Sequence, residues 1–163
     1  MSIETLDISR ALSIGGYMSE SELQWLAHMA EKSQRILEVG CYKGRSTRAL
    51  ADNTNGVVFC VDPWNCKTIN EDGSPSFVVN DDTYEEFIRN MVGIQDKILV
   101  YKIKFGDLNI NSSPDFIFID GGHDYEEVKA DTLAWEPFIK KGGIMLFHDT
   151  DHPGTYKWLT EHF

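Results

Sequence analysis

Carboxylate and imidazole side chains follow two apolar runs of the sequence, where they could act on a bound molecule. Asp120 and His123 come after one run, and His148 and Asp149 come after another. An imidazole or a carboxylate can remove the proton of a hydroxyl group, and an oxygen-rich pair of carboxylates suits Mg²⁺. We therefore treat Asp120, His123 and His148 as candidate catalytic residues, and Asp120 and Asp149 as candidate metal ligands.

The same side chains could have purely structural roles instead of catalytic or metal-binding ones. His123 stands at the start of a helical pattern and could do no more than orient the preceding turn, Gly121-Gly122. The residues after His148 lack the His-x-x-x-His spacing of a helical metal site, and Asp151-His152-Pro153 has the form of a helix entry. Both kinds of role are compatible with the sequence.

A glycine-containing turn, Glu38 to Gly44, follows an earlier apolar run and leads into a helical pattern at Ser46. Glycine lets a backbone approach a ligand closely, and the start of a helix offers free amide groups. Asp62, 22 residues after Gly40, ends the next β-rich run, where a carboxylate can accept hydrogen bonds from both hydroxyls of an adenosine ribose. Ordinary turn glycines and a carboxylate that caps a turn are the structural alternatives.

The side chains of this turn bear on which adenosine compound it could bind. A dinucleotide pyrophosphate presses against the backbone and needs Gly-x-Gly-x-x-Gly, whereas Cys41-Tyr42-Lys43 is bulky. A nucleoside with an amino-acid tail, such as S-adenosylmethionine, needs a close backbone only near the tail. The turn therefore favours S-adenosylmethionine, with Tyr42 and Gly44 in the cofactor-facing loop. Glu38 would support the ammonium end, through water or by holding the loop.

Alternating helical and strand patterns must position these residues. The spacing of apolar residues predicts helices over about 19–32, 46–52, 81–92, 126–139 and 156–162, and strands over 35–40, 56–61, 98–103, 115–120 and 144–147. Ser19 and Glu22 form a capping box at the first helix. The alternation indicates an α/β fold, a doubly wound, Rossmann-like parallel sheet with helices on both faces. Such sheets bind ligands beyond the carboxyl ends of their strands.

Residues 63–80 form a long polar stretch without a clear pattern. Loops of that length are uncommon in compact domains and often have a function. Because the stretch leaves the strand that ends at Asp62, it could be a lid over cofactor or substrate. A surface loop without such a role is the alternative.

The sequence from Ile36 to Thr150 resembles the class I S-adenosylmethionine-dependent methyltransferases. Four segments carry the resemblance: the turn Glu38 to Gly44, the strand end at Asp62, the strand Asp115 to Asp120, and the turn Lys140 to Gly143. The stretch Phe118 to Glu126, continuing to Asp131, is similar to a branch of that family. This branch includes O-methyltransferases that act on hydroxyls of sugars and other small molecules, some of them metal-dependent.

The resemblance implies particular contacts and a reaction. Gly40, Ser46 and Asp62 would surround the cofactor, with Trp64 against the adenine and Asp120 near the methionine end. The reaction would transfer a methyl group from S-adenosylmethionine to a hydroxyl oxygen of a small polar molecule, with a divalent metal such as Mg²⁺ as a further aid. An NAD-dependent oxidoreductase and a non-catalytic Rossmann-like interaction module are the alternatives.

Two features depart from the family pattern. Tyr42 stands where many members have a further glycine, so the loop could open differently. The family fold normally has a sixth and a seventh strand after the helix that follows strand five, and this sequence ends at Phe163 within that helix. Either the sequence is shortened, or the sheet edge is completed in another way, for instance by a second subunit of a homo-oligomer.

Length, charge and cysteine content narrow the remaining choices. A chain of 163 residues makes one domain, with an N-terminal helical segment over 1–33 and a Rossmann-like core over 34–163. With 26 acidic and 15 basic residues the net charge is -11, which disfavours nucleic acid and anionic membranes as partners and leaves a small-molecule acceptor. Three cysteines without a Cys-x-x-Cys pair predict reduced thiols. The absence of a signal-peptide pattern or a long apolar run predicts a cytoplasmic location.

Overall fold

The computed structural model describes residues 6–69, 74–104 and 113–163. The helices are α1 Ser9–Ser13, α2 Glu20–Glu31, α3 Arg45–Asn53, α4 Asp81–Asn90, α5 Tyr125–Trp135 and α6 Pro153–His162, with 3₁₀ turns at Gln95–Lys97 and Glu136–Phe138. The strands are β1 Arg35–Val39, β2 Val57–Val61, β3 Cys66–Ile69, β4 Pro75–Val79, β5 Ile98–Tyr101, β6 Phe116–Ile119 and β7 Ile144–Phe147. In the described part of the chain, no helix is both long and apolar enough to cross a membrane.

Five strands form one parallel sheet in the order β5-β2-β1-β6-β7. The chain runs outwards from β1 through β2 to β5, then crosses to the other side of β1 to add β6 and β7. This arrangement is doubly wound, so the predicted fold class is confirmed. Each of the five strands lies within its predicted range.

Helices cover both faces of the sheet, because alternate residues of the central strands point to opposite sides. One face carries Ile36, Val58, Phe116 and Phe118, which cluster with Ala11, Leu26, Leu50 and Phe87 of α1 to α4. The other face carries Leu37, Phe59, Ile117 and Ile119, which cluster with Trp135 of α5. Strand β6 is buried along its whole length, as its continuous apolar run predicts.

Local sequence signals account for where two of the helices begin or end. At the start of α2, the Ser19 side chain accepts from the Glu22 amide, and the Glu22 carboxylate accepts from the Ser19 amide at 2.7 Å. This is the predicted capping box. Helix α5 ends at Trp135, earlier than predicted, and a 3₁₀ turn follows it. Pro137 lies in that turn and has no amide hydrogen with which to continue an α-helix.

Two elements lie outside the sequence-based prediction. The stretch 63–80 was expected to lack regular structure, which is wrong: β3 and β4 form an antiparallel pair in which Cys66 lies opposite Val79. Each strand is short, and the pairing links positions that no local pattern connects. Residues 70–73, between the two strands, lie outside the described residues. Helix α1, of 5 residues, lies within the N-terminal helical segment predicted over 1–33 and buries Ala11 against the core.

The strand ends at the carboxyl edge of the parallel sheet share one hydrogen-bonding pattern. Each residue that directly follows a strand donates its amide to the last residue of the neighbouring strand: Asp62 to Tyr101 (3.2 Å), Gly40 to Val61 (2.9 Å), Asp120 to Val39 (2.8 Å) and His148 to Ile119 (3.0 Å). The four residues therefore line one edge in the order Asp62, Gly40, Asp120 and His148. Neighbouring strands are about 4.8 Å apart, so the row spans roughly 14 Å.

Candidate active site

The turn after β1 contains a close approach of two strand ends. Gly40 has a φ of 88°, and a Cβ at this position would lie 2.0 Å from the Asp120 carbonyl oxygen. Only glycine accepts both this backbone conformation and this contact. Gly44, which directly precedes α3, has the same φ of 88°. The fold itself therefore requires Gly40, independently of any ligand beside it.

Glu38 is completely buried beneath this turn. Its two carboxylate oxygens accept hydrogen bonds from the hydroxyls of Ser46 and Thr47 at the start of α3. Burial raises the pKa of Glu38 to about 7, although the two hydroxyl donors favour the ionised form. Of the two roles predicted for Glu38, the contacts correspond to the one in which it holds the loop. Ser46, predicted to lie beside the cofactor, is 5% exposed and makes this internal contact.

Asp62 ties the ends of β1 and β2 together. Its Oδ2 accepts from the Tyr42 amide at 2.9 Å, and its Oδ1 accepts from the Trp64 amide at 2.6 Å. Burial raises the pKa of Asp62, and these backbone donors oppose the rise. A carboxylate has about four lone-pair sites, so acceptor capacity is left for ribose hydroxyls. The ribose contact stays a prediction.

Trp64 is a packing residue at the start of the β2–β3 connection. Its indole N–H donates to the Tyr42 carbonyl at 2.8 Å, and its ring lies 4.9 Å from that of Tyr84 and 4.8 Å from that of Phe87. The residue is 1% exposed. In this arrangement its ring has no face open to an adenine, because the helical layer already covers it. The structure thus corrects the adenine contact implied for Trp64 and gives it the role of holding the β1 turn.

Left-handed backbone occurs at three strand ends of this edge. Tyr42 (φ 48°), Trp64 (φ 44°) and Asp149 (φ 48°) are the non-glycine residues with positive φ in the described part of the chain. Such conformations cost free energy in side-chain-bearing residues and cluster at functional sites. All three lie within three residues of the ends of β1, β2 and β7.

The half-buried Tyr42 ring packs against the edge of the core and meets two further aromatic rings. Its centroid is 6.2 Å from that of Tyr17, in the α1–α2 connection, and 5.3 Å from that of Phe77, in β4. Three segments far apart in sequence therefore form an aromatic wall, Tyr17–Tyr42–Phe77, beside the β1 turn. The ring of Tyr42 is accommodated by these contacts, although its φ of 48° is one that glycine adopts more readily.

His148 lies between the two predicted metal-binding carboxylates. Its Nδ1 is 3.2 Å from Asp120 Oδ1 and 3.1 Å from Asp149 Oδ2. The contact with Asp120, reinforced by Asp149, raises the pKa of His148 to about 10, and burial only partly opposes the rise. At neutral pH the imidazole therefore carries a positive charge between two carboxylates. In that state it holds the acids together and cannot accept a proton.

His123 is the second imidazole of the cluster. Its Nε2 is 2.8 Å from Asp149 Oδ2, and its side chain is 42% exposed. His152 approaches from the start of α6, with its Nδ1 3.0 Å from the His123 carbonyl oxygen. The structure thus brings together Asp120, His123, His148 and Asp149, the residues predicted from the sequence for the acceptor side of the site.

Sequence reasoning missed one member of this cluster. Glu22, assigned only to the capping box of α2, places its Oε1 3.1 Å from His148 Nε2. The capping motif was visible in the sequence, but it concerns residues three positions apart. Nothing local connects Glu22 with a histidine 126 residues later.

Three side chains of this cluster offer ligand atoms for a divalent cation. Asp120, His123 and Asp149 each offer one ligand atom, and these atoms lie within 4.8 Å of one another. Two carboxylate oxygens and one imidazole nitrogen form a donor set that divalent ions accept. The residues present therefore fit a metal ion, and Asp120 and Asp149 are the two of them predicted from the sequence.

Known proteins share this architecture. The O-methyltransferase of Bacillus cereus, solved with SAH, is 16% identical, with a TM-score of 0.68 over 98% of this chain and 80% of that one. The SAH-bound methyltransferase PaMTH1 of Podospora anserina is 17% identical, with a TM-score of 0.62 over 86% of this chain and 59% of that one. At these identities the likeness shows a common fold.

The sequence is also similar to that of a known protein and to a known family. An uncharacterized protein of Sinorhizobium fredii, y4gI, is 29% identical over an alignment 135 residues long, which covers 78% of this chain and 14% of that protein. The chain thus spans about a seventh of the length of this relative. A family model described as a methyltransferase domain matches residues 37–150, which is more than two thirds of the chain. The match runs from within β1 to just beyond β7 and includes both halves of the candidate site. The chain belongs to the methyltransferase domain family.

Proposed function

We propose that this protein transfers a methyl group from S-adenosylmethionine to a hydroxyl oxygen of a small polar molecule. The observation that carries the proposal is the row Asp62, Gly40, Asp120 and His148 along one sheet edge. An adenosine could lie at the Asp62 end, and the amino-acid tail along the Gly40 turn. The reacting sulfonium would then lie near the cluster at the β6 and β7 ends. Two relatives of the same fold, solved with SAH, support this choice of cofactor.

The reaction is an in-line displacement. A lone pair of the acceptor oxygen forms the new C–O bond while the C–S bond breaks and its electron pair returns to sulfur, which leaves S-adenosylhomocysteine. The hydroxyl proton must go to a base. His123 suits this role, because its Nε2 contacts Asp149 and its Nδ1 can then take the proton.

His148 serves the reaction in another way. As a cation, its Nδ1 lies 3.2 Å from Asp120 Oδ1 and 3.1 Å from Asp149 Oδ2, so it holds the two side chains next to each other in a half-buried site. It thereby fixes Asp149 for its contact with His123. Asp120 lies where the methionine end of the cofactor would be, and its carboxylate suits the ammonium group.

A divalent ion is a further part of the proposal. Asp120 and Asp149 would hold it, with His123 as a third donor, and the ion would then take the place of His123 in promoting loss of the hydroxyl proton. Such an ion, when bound, lowers the pKa of a coordinated hydroxyl group. Full activity in EDTA would remove the ion from the proposal without affecting the methyl-transfer reaction.

The function is tested by binding and turnover on the same preparation. We expect isothermal titration to give heat with S-adenosylhomocysteine and none with NAD, and a panel of sugars, phenols and carboxylates to yield S-adenosylhomocysteine from S-adenosylmethionine. Binding of NAD alone would instead favour an oxidoreductase. Cofactor binding without turnover on any acceptor, with or without Mg²⁺, would favour a non-catalytic module. A cytoplasmic location and the absence of nucleic-acid and membrane partners remain proposals from charge and composition.

A further inference from the structure

The carboxylate of Glu22 has two contacts in different parts of the molecule. Its Oε2 accepts from the Ser19 amide at 2.7 Å and from the Ser19 hydroxyl at 2.6 Å, which closes the capping box of α2. Its Oε1 lies 3.1 Å from His148 Nε2, just beyond the end of β7. The capping box needs only one of the two oxygens, so the second is available for another contact.

The contact with Glu22 sets the direction of the His148 ring. Nε2 and Glu22 Oε1 meet the geometry of a hydrogen bond. Nδ1 is buried and close to Asp120 and Asp149, but among the described residues no acceptor lies in line with it. Directional hydrogen bonds orient a ring more strongly than ion pairs do. Loss of the Glu22 contact would therefore free the ring to turn, and the edge that faces the two carboxylates would move.

Helix α2, which carries Glu22, is fixed by hydrogen bonds to the segment before it and by packing of its inner face. The Arg45 side chain, at the first residue of α3, donates to the carbonyls of Ile14 (2.6 Å) and Met18 (3.0 Å) in the segment that precedes α2. The inner face of α2 is buried, with Leu23 and Leu26 at 1% exposure or less. The carboxylate is thus presented to His148 from a fixed position, as a positioning residue must be.

We propose that Glu22 is a positioning residue of the acceptor site, which acts through His148 on the placement of Asp120 and Asp149. The expected loss of kcat rests on the proposed methyl-transfer function, whereas the orientation of the His148 ring by Glu22 does not. It extends the site to helix α2, which lies before the residues matched by the family model. Groups that orient active residues commonly change activity by about 10- to 100-fold when they are removed.

The test compares Glu22→Ala with Ser19→Ala. Glu22→Ala removes both contacts, whereas Ser19→Ala weakens the cap but keeps the carboxylate and the Ser19 amide. We expect Glu22→Ala to lower kcat about 10- to 100-fold with less than about a twofold change in the Kd for S-adenosylhomocysteine. Ser19→Ala should lower the Tm and leave kcat within about twofold. Glu22→Gln keeps an acceptor oxygen and a capping side chain, and should restore part of kcat.

A second readout reports on His148 directly. The ¹⁵N resonance of His148 Nε2, assigned by its loss in His148→Gln, should shift in Glu22→Ala and stay in place in Ser19→Ala. If Glu22→Ala does not fold, Glu22→Gln supplies the same comparison with a smaller expected shift. An unshifted resonance in the Glu22 variants, or equal kcat losses in Glu22→Ala and Ser19→Ala, would overturn the proposal. A wild type that binds S-adenosylhomocysteine but turns over no acceptor would contradict the proposed function alone, because the resonance tests Glu22 without turnover.

Discussion

At the scale of single residues, the acids of the carboxyl edge are held in place before any ligand arrives. Asp62 accepts from two backbone amides, and Glu38 accepts from two hydroxyls. A carboxylate fixed in this way needs no reordering to bind, which lowers the entropic cost of binding a ligand. The same contacts mean that a substitution disturbs both the ligand site and the turn around it.

Asp62→Ala should weaken binding of the cofactor. It removes the carboxylate proposed for the ribose and the acceptor of the Tyr42 and Trp64 amides. We expect a loss of about 1–3 kcal/mol in the binding free energy of S-adenosylhomocysteine, the scale of hydrogen bonds to a charged group. Isothermal titration measures it. Asp96→Asn, at an exposed aspartate in a 3₁₀ turn, is the matched control and should bind normally; equal affinities in the two variants would contradict the assignment.

His123→Gln should lower kcat by about 10²- to 10⁴-fold, the usual contribution of a general base. The amide can still contact Asp149 but cannot accept a proton, so the variant separates base catalysis from the hydrogen bond. The rate of S-adenosylhomocysteine formation is the measurement, with cofactor affinity followed beside it. His28→Gln, on the exposed face of α2, should match the wild type. A kcat unchanged in His123→Gln would assign the proton transfer to another group.

At the scale of elements, the Arg45 side chain fixes the N-terminal segment to α3. Arg45 begins α3 and donates to four carbonyl oxygens of residues 11–18. These include the Leu12 carbonyl, in the last turn of α1. The segment that carries Tyr17 and leads to Glu22 is therefore fixed to the same helix whose first turn holds Glu38.

Arg45→Lys should loosen this segment while preserving the charge. A lysine cannot reproduce the fork of donors, so we expect a loss of about 1–3 kcal/mol in the free energy of unfolding. Amide hydrogen exchange should quicken over residues 11–18, where the four carbonyl acceptors lie. Arg89→Lys, at a 66% exposed side chain on α4, is the control and should leave both measurements unchanged. Protection that stays at the wild-type level in Arg45→Lys would show that packing alone holds the segment.

At the scale of the whole molecule, buried acids make stability depend on pH. Burial raises the pKa of Glu38 to about 7, and burial together with Glu127 raises the pKa of Asp131 to about 7. Both groups are therefore more readily protonated in the folded chain than in the unfolded chain. Their contribution to stability is present below the unfolded pKa values of about 4 and is lost as the pH rises through about 7.

Glu38→Gln should flatten this dependence. A rise in pKa from 4.5 to about 7 corresponds to about 3–4 kcal/mol at roughly 1.4 kcal/mol per pKa unit. We expect the wild type to lose up to that amount relative to Glu38→Gln between pH 4.5 and pH 7.5, as measured by urea unfolding. Asp96→Asn serves as the control with an unburied acid. Parallel curves for the wild type and Glu38→Gln would mean that Glu38 is ionised throughout this range.

The exposure of the outer strand β7 is also a property of the whole molecule. Strand β7 lies at one edge, and Ile144, its first residue, is 47% exposed, whereas every residue of β6 beside it is buried. The expectation that a second subunit completes this edge stays a prediction.

The sequence by itself determined the parallel sheet and the row of residues at its carboxyl edge. Runs such as Phe116 to Ile119 are local, and parallel β-α-β connections bring the carboxyl ends of all these strands to one edge, although their order along it came from the structure. Asp120 and His148 could be assigned to that edge because each directly follows a strand. A capping box such as Ser19 to Glu22 was equally accessible, since it spans one turn of helix.

Only the tertiary structure decided what these residues touch. The hairpin of β3 and β4, the burial of Trp64 and the contact between Glu22 and His148 all join segments that are independent in sequence. The charge of His148 likewise depends on two carboxylates from different strand ends. Periodicity reports which face of an element is buried, but partners, burial depth and pKa values arise from packing between elements, which no local pattern encodes.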